Sequence, residues 1–431
     1  MRKRKTKILY ILLSILMVVS LLNGCGSTEQ AGVTEIHILQ YKREAVEFFD
    51  KLQKEFNETH KDIRLTIESP NDAMTILKTR LIREDYPDII GIGGDINYSN
   101  FVDSNILADV SDYPGLSTVK KSYIDILEGL EFVPTEGTFG IPYAANAAGV
   151  LYNKDMFKKH NWEVPSTWSE FMSLCKKIQS EGIQPLYFGF RDTWTCLSPW
   201  NSLAVSLTDA DICAKVNKGE AVFTEAYSGV ADKIKEMMEY GEAGPFAYNY
   251  NDACIAFANG EAAMYTIGSF AVPQIQSVNP DINIDSFVMP ANEDASKNIL
   301  NSGIDLQFCV TKECKNKEAA YEVLDFLLEH NNMQAYLDDQ NAVPCKEEPF
   351  KLASMLSGVA KYIEEGKMAD FHDHHYPSEM AADGLIQTYL MEGDKEKFLE
   401  KFDKDWLRYN RDIIRKVEEY EHEQKEQRGN K

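Results

Sequence analysis

The chain has 431 residues, 44% hydrophobic, 11% aromatic and 26% charged, a balance that excludes a disordered chain, a collagen-like repeat and a many-pass membrane protein. Lys and Arg number 45 against 68 Asp and Glu, a net charge of −23; a surface that acidic repels phosphate backbones, which excludes a nucleic-acid binder. The length suits two lobes of roughly 150–200 residues, each with its own core.

The first segment is an address. Met1–Lys7 is basic, and Ile8–Leu22 is apolar, broken only by Tyr10, Ser14 and Ser20. That run is short for a membrane span of about 20 residues but suits the core of a signal peptide, 1–24. It ends in Leu22-Asn23-Gly24-Cys25, which resembles the bacterial lipobox, where a small residue precedes a Cys that receives lipid and becomes the new N-terminus. Cys25 is therefore the expected lipidation site, anchoring the protein at the outer face of the cytoplasmic membrane. Residues 25–33, mostly small and polar, read as the tether.

From Thr34 onward strands and helices alternate. Glu35–Gln40 reads as a strand, and Arg43–His60 places Val46, Phe49, Leu52 and Phe56 on one helical face. Ile63, Leu65 and Ile67 alternate again, Asp72–Arg83 is helical, and Pro87–Gly91 is a buried strand running into the Gly93-Gly94-Asp95 turn. This β-α-β-α-β order predicts a largely parallel sheet covered by helices. Ligands collect beyond the carboxyl ends of such strands, which puts Gln40–Arg43 and Gly93–Asn97 at the mouth and makes Tyr41 and Asp95 candidate contacts. Further on, Thr167 and Glu170 have the spacing of a capping box at a helix start. Val230–Tyr240 and Asn251–Asn259 read as helices, and Lys317–Glu329 and Asn331–Asp338 as a helix pair. Helical runs dominate from Phe350, ending in a frayed charged tail after Glu421. No linker rich in Pro, Gly or Ser separates two halves, so two lobes have to be joined by several crossing strands. Seven cysteines follow Cys25 without any C-x-x-C, and unpaired, packed thiols are expected rather than a zinc or redox site.

A family resemblance emerges from ordered segments. Gly140-Ile141-Pro142-Tyr143 followed by Leu151-Tyr152-Asn153-Lys154-Asp155-Met156-Phe157, then Val164–Phe171 with its Pro165, Thr167, Trp168 and Glu170, resembles the extracellular solute-binding proteins of carbohydrate ABC importers. Phe257–Met264, Gly268-Ser269-Phe270, Asn316–Leu328 and Asn341-Ala342-Val343-Pro344 fit the later elements of that family, the large group that includes maltose-binding protein. The ordered set spans Thr34 to about Trp406. The resemblance implies an α/β, two-lobed periplasmic-binding-protein-like fold, each lobe a mostly parallel sheet flanked by helices, joined by a multi-strand hinge. It also implies a first lobe of 34–143 plus 289–345 and a second of 144–288 plus 346–431, with crossings near Tyr143, Met289 and Cys345. One departure stands out: Phe270 occupies a position where the family often has Trp, which keeps stacking and loses the indole donor.

The signature residues identify the fold, and most of them read as caps and packing. Ligand contacts have to come from less patterned loops. A pyranose has apolar C–H faces and hydroxyl edges, so its site needs aromatic platforms with polar side chains around them. Phe190-Arg191-Asp192-Thr193-Trp194, with Trp200 nearby, has that composition after the strand Leu186–Phe188. Trp194, Trp200 and Arg191 are therefore candidates, as are Phe270, Asp305 beside Gly303, and Asp95 beside Gly94. In His372-Asp373-His374-His375-Tyr376, His374 and His375 are candidates for sugar hydroxyls; adjacent histidines rarely converge on one ion, so no metal is expected.

The rival function is a secreted glycoside hydrolase, whose two carboxylates stand about 5–9 Å apart; with 68 acids the composition does not test it. A binding protein for a peptide, polyamine or metal ion is the other alternative. No phosphate-loop or nucleophile motif is present in the sequence. The expectation is a non-enzymatic, cofactor-free, monomeric, lipid-anchored binding protein. It captures an oligosaccharide, of α-linked raffinose or isomaltose type, and delivers it to ABC permease subunits in the membrane.

Overall fold

The computed structural model describes residues 32–429; Cys25, with the expected signal peptide and most of the tether, lies outside the described residues. The strands are β1 (Thr34–Gln40), β2 (Ile63–Glu68), β3 (Ile89–Ile92), β4 (Ile141–Ala145), β5 (Val150–Asn153) and β6 (Gln184–Tyr187). They continue with β7 (Ala262–Tyr265), β8 (Ile284–Phe287), β9 (Leu300–Asn301), β10 (Ile304–Val310), β11 (Val343–Pro344) and β12 (Met368–Ala369). The local causes are those legible in the sequence. In β2, Ile63, Leu65 and Ile67 are buried while Arg64 and Thr66 are exposed, the period of a half-buried strand. The helix Val46–Thr59 buries Phe49, Leu52 and Phe56, at helical spacing. Thr167 and Glu170 close a capping box on the helix Trp168–Ser180, and the Asn153 side chain accepts from the Asp155 and Met156 N–H groups where β5 hands over to the helix Lys154–His160.

Two sheets organise two lobes. The larger has the order β11-β4-β10-β3-β1-β2 and the smaller β6-β7-β5-β8. The sheets are mixed, which corrects the mostly parallel arrangement expected. β1 runs parallel to β2 and β3, and β6 to β7, while β10 is antiparallel to β3 and β4, β11 to β4, and β5 to β7 and β8. Strands supplied by β-α-β units keep one direction. β10 instead enters from the other lobe at the edge where β3 leaves, and so runs back along it.

The chain leaves the larger sheet at Ala145 and enters the smaller at Val150, then returns between Phe287 and Ile304. These segments lie side by side: the Ala148 N–H donates to the Asn301 carbonyl at 2.8 Å, Asn146 to Gly303 at 3.1 Å and Ser302 to Ala369 at 3.0 Å. After β11 the chain still pairs with the first lobe, the Glu347 N–H donating to the Thr118 carbonyl, and it reaches β8 at Met355, whose carbonyl accepts from the Ser286 hydroxyl at 2.6 Å.

One core lies under the larger sheet, around Phe49, Phe56, Phe308 and Tyr336. A second fills the smaller lobe around Phe171, Trp200, Phe402 and Trp406. A third spans the lobes, joining Leu39 and Ile92 to Phe257 and Tyr265.

Two details differ from expectation at the C-terminal end. Residues 350–381 are mostly loops and short 3-10 turns around one short helix, Ala360–Glu364, and the longer helices Ala382–Glu392, Lys395–Tyr409 and Arg411–Gly429 follow them. The tail after Glu421 continues the last helix, supported by spaced pairs of opposite charge such as Glu421 with Lys425. That helix also reaches the other lobe, where Lys416 pairs with Asp103. All seven cysteines among the described residues are free, six of them buried. Burial pushes their thiols up, Cys254 to about 12 and Cys314 to about 11, so they pack as inert apolar groups. Among the described residues no helix is long and apolar enough to cross a membrane.

Candidate functional site

A cleft of about 630 Å³ opens between the lobes, within the roughly 300–1,000 Å³ typical of small-molecule sites. The larger sheet contributes Lys42 and Glu44 after β1, Ala145 at the end of β4 and Asn146 after it, Asp305 on β10, and Asp339 and Gln340 at the end of the helix His330–Gln340. The smaller lobe contributes Trp194, Tyr250, Ser269, Phe270, Pro273 and Gln274. The placement follows from topology: strand ends and hinge segments meet here, so backbone turns replace packed side chains.

The smaller lobe supplies an aromatic wall. Trp194, in the short 3-10 helix Thr193–Cys196, is 40% exposed. Its ring centroid lies 5.0 Å from Tyr250 at 53° and 6.2 Å from Phe270 at 52°. The loop beneath is fixed. The Asp192 carboxylate accepts from the Tyr250 N–H at 3.1 Å, the Thr195 hydroxyl donates to the Gly189 carbonyl at 3.1 Å, and Thr193 bonds Asp383. Gly189 has φ of 66° and lies against the Asn249 carbonyl, a left-handed turn that a side chain would strain.

The larger lobe supplies charge. Lys42 is buried, and its Nζ reaches Asp305 at 2.9 and 3.1 Å and Glu44 at 2.5 Å. Burial opposes the ammonium charge, but Asp305, Tyr336 and Glu44 together hold its pKa above the ordinary lysine range. Tyr41 donates its hydroxyl to the Asp305 carbonyl at 2.5 Å. Its own pKa is driven up by burial and by Asp305. Tyr41 thus steadies the start of β10, and the cleft wall is formed by its neighbour Lys42.

A second, shallower depression of about 230 Å³ holds Asp95, Asn97, Leu197, Asp373, His374 and Asp383. Asp95 caps the helix Ile96–Asp103, its carboxylate accepting from the Asn97 N–H at 2.8 Å. His374 Nδ1 stands 2.8 Å from Asp370. Burial works against its charge, yet Asp370, with Asp373 and Asp95 further off, raises it to about 10. The pair presses on the hinge: a Cβ on Gly303 would collide with Asp370, the His374 ring and Phe371. His372 behaves oppositely. It is wholly buried, Nδ1 lies 3.0 Å from the Tyr227 hydroxyl, and burial with His375 alongside lowers it to about 3.

Besides Tyr41, three candidate contacts line neither the cleft nor the second depression. Trp200 is completely buried in the helix Leu197–Leu207, packed edge-on against Tyr227 and Phe398, so it is a core residue and cannot stack on a ligand. Arg191 is exposed but lines no part of the cavity; its backbone N–H donates to the Tyr248 carbonyl at 2.8 Å, and its neighbour Asp192 turns inward instead. His375 lines a separate interlobe cavity of about 130 Å³ with Phe132, Trp406 and Asn410, because adjacent residues of the 3-10 turn His372–His375 point in different directions. Trp194, Phe270 and Asp305 do converge, and Asp95 and His374 meet in the second depression. Sequence reasoning missed Tyr250, Glu44, Asn146 and Asp339, and it placed Lys42 at the mouth within Gln40–Arg43 without singling it out. Among the described residues no group of three or more His, Cys, Asp or Glu side chains is arranged to hold a metal ion.

Known proteins resemble this arrangement over nearly its whole length. The multiple sugar-binding protein of Streptococcus mutans serotype c is 27% identical over 393 residues, covering 88% of this chain and 91% of that protein. An sn-glycerol-3-phosphate-binding periplasmic protein of Brucella abortus is 27% identical over a shorter stretch of 178 residues, 38% of this chain and 39% of that protein. In structure, the solute-binding protein RafE in complex with raffinose superposes with a TM-score of 0.74 at 22% identity, covering 89% of this chain and 100% of that one. The apo form of RafE from Streptococcus pneumoniae gives 0.76 at 22% identity, covering 89% and 99%. The sequence model of the bacterial extracellular solute-binding proteins matches residues 42–334, well over half the chain, and this protein belongs to that family.

Proposed function

We propose that this chain is the substrate-binding component of an ABC importer, capturing an oligosaccharide between its lobes and handing it to membrane permease subunits. The carrying observation is the aromatic wall of Trp194, Tyr250 and Phe270 facing Lys42, Asp305 and Asn146 across one interlobe cleft. Aromatic faces pair with the C–H faces of a pyranose, and the polar wall pairs with its hydroxyls. The sugar-binding relative and the raffinose-bound neighbour support the reading, and an α-linked ligand of raffinose or isomaltose type is the narrower form of it. The lobes divide as 34–143 plus 289–345 and 144–288 plus 346–431, with crossings near Tyr143, Met289 and Cys345. A sugar touching both lobes makes contacts that exist only when they close, and so shifts the open–closed equilibrium. The protein acts as a monomer, and no bond in the sugar is made or broken.

A thermal-shift screen across mono-, di-, tri- and tetrasaccharides tests this. Ligand at 100 times Kd is expected to add about 2.7 kcal/mol of stability. If amino acids, peptides or metal ions raise the melting point while no sugar does, the reading fails; release of reducing sugar from an oligosaccharide would instead make the protein a hydrolase.

The basic–apolar–Gly24-Cys25 order supports a lipid anchor on Cys25 at the outer face of the cytoplasmic membrane. Cys25→Ala is expected to block lipidation and move the protein from the membrane fraction to the soluble one. A cleaved mutant that stays tightly membrane-bound would refute the anchor.

A further inference from the structure

The charges around the cleft are unequal. Its walls carry three carboxylates, Glu44, Asp305 and Asp339, and among the described residues lining it one cation, Lys42. That ammonium has no donor to spare: its three contacts are Glu44 at 2.5 Å and the two Asp305 oxygens at 2.9 and 3.1 Å, and its side chain is 6% exposed. Glu44 and Asp339 remain exposed at the rim. Deeper in, the Asn146 side-chain oxygen is buried with no hydrogen-bond partner. Its backbone is pinned in the hinge by Gly303 and Ser302. A buried acceptor left unmet costs free energy that a ligand hydroxyl would recover.

Resting on the sugar reading above, we propose that the cleft selects uncharged, hydroxyl-rich saccharides and rejects sugars bearing a carboxylate or phosphate. Glu44 and Asp339 are the rejecting groups, and Asn146 is an acceptor for a sugar hydroxyl. A carboxylate or phosphate group is all acceptor: it has no proton for the Asn146 oxygen, and it finds the one ammonium already neutralised. A negative charge brought to about 6 Å from either rim carboxylate, at an effective dielectric near 20, loses roughly a hundredfold in affinity. A neutral sugar meets no such barrier. The distinction separates the two ligand classes named among the relatives, sugars and a glycerol phosphate.

The test is calorimetric titration of the intact chain with raffinose and isomaltotriose, and with an oligogalacturonate of matched length and sn-glycerol 3-phosphate. The neutral sugars are expected to bind about a hundredfold or more tighter than the anions at low salt. Raising the salt screens the rim and narrows that gap, while neutral binding stays the same. In the double variant Glu44→Gln, Asp339→Asn the gap is expected to shrink by about tenfold or more even at low salt. Asn146→Ala is expected to weaken neutral-sugar binding about fivefold with an unliganded melting point no lower than the parent's. An acidic saccharide or the glycerol phosphate binding as tightly as the neutral sugars, or a gap untouched by the double variant, overturns the proposal. If neither neutral nor acidic saccharides bind, the sugar reading itself has failed.

Discussion

Replacing Trp194 with alanine is expected to weaken saccharide binding by roughly 30- to 1,000-fold, equivalent to about 2–4 kcal/mol, the range of a binding hot spot. Its indole is 40% exposed and forms the outer part of the wall completed by Tyr250 and Phe270. A sugar ring laid on it buries apolar surface, and aromatic contact adds roughly 0.5–1.5 kcal/mol beyond that area. The loop keeps its shape without the ring, because Asp192, Thr193 and Thr195 hold it through their own hydrogen bonds. The unliganded melting point is therefore expected to change little. Titration and unliganded melting of the same variant separate binding from folding. A sharply lowered melting point with unchanged sugar affinity would assign Trp194 to the core and remove the central platform of the proposed site.

The sequence carried the periodic part of this fold and lost the parts made by distant segments. β1, β2 and β3 with the helices between them were legible because each buries residues at its own period, as Ile63, Leu65 and Ile67 do. Sheet direction was not, since β10 lies far along the chain and its pairing with β3 depends on the crossing between lobes. The same limit applies to the site. Trp194 was found from loop composition, Phe270 from the position it fills in the family resemblance, and Asp305 from its place near a glycine. Lys42 was placed at the mouth but not singled out, because its partner Asp305 is 263 residues away and no local spacing announces such a pair. Tyr250 was hidden by sitting at the first position of a well-capped helix, where Asn249 and Asp252 explain the local sequence by themselves. Local sequence could not say which of the adjacent histidines faces a ligand: both stand near Asp370, but His374 lines the second depression and His375 a different cavity.

Trp200 is the counterpart of Trp194, and its loss is expected to strike folding. Six residues further on, the chain has entered the helix Leu197–Leu207, and the indole is fully enclosed. Tyr227 and Phe398 meet it edge-on at 5.2 and 5.6 Å, and its N–H donates to the Tyr376 hydroxyl at 3.3 Å. Tyr376 in turn contacts Tyr227 at 2.8 Å, and Tyr227 reaches His372, so the ring supports a buried polar chain as well as an apolar core. Truncation removes a large side chain from a site that cannot collapse around rings set at right angles. Trp200→Ala is expected to cost about 3–5 kcal/mol of folding free energy, read by denaturant unfolding. Trp200→Phe keeps most of the volume and loses the donor, so its cost is expected to be about 1–2 kcal/mol. Tyr376 retains its contact with Tyr227, which limits the penalty of the lost bond. At temperatures where Trp200→Ala remains folded, sugar affinity is expected to match the parent, because no atom of the indole reaches the cleft. Unfolding unchanged from the parent, with affinity lost, would put Trp200 back among the ligand contacts and contradict its burial.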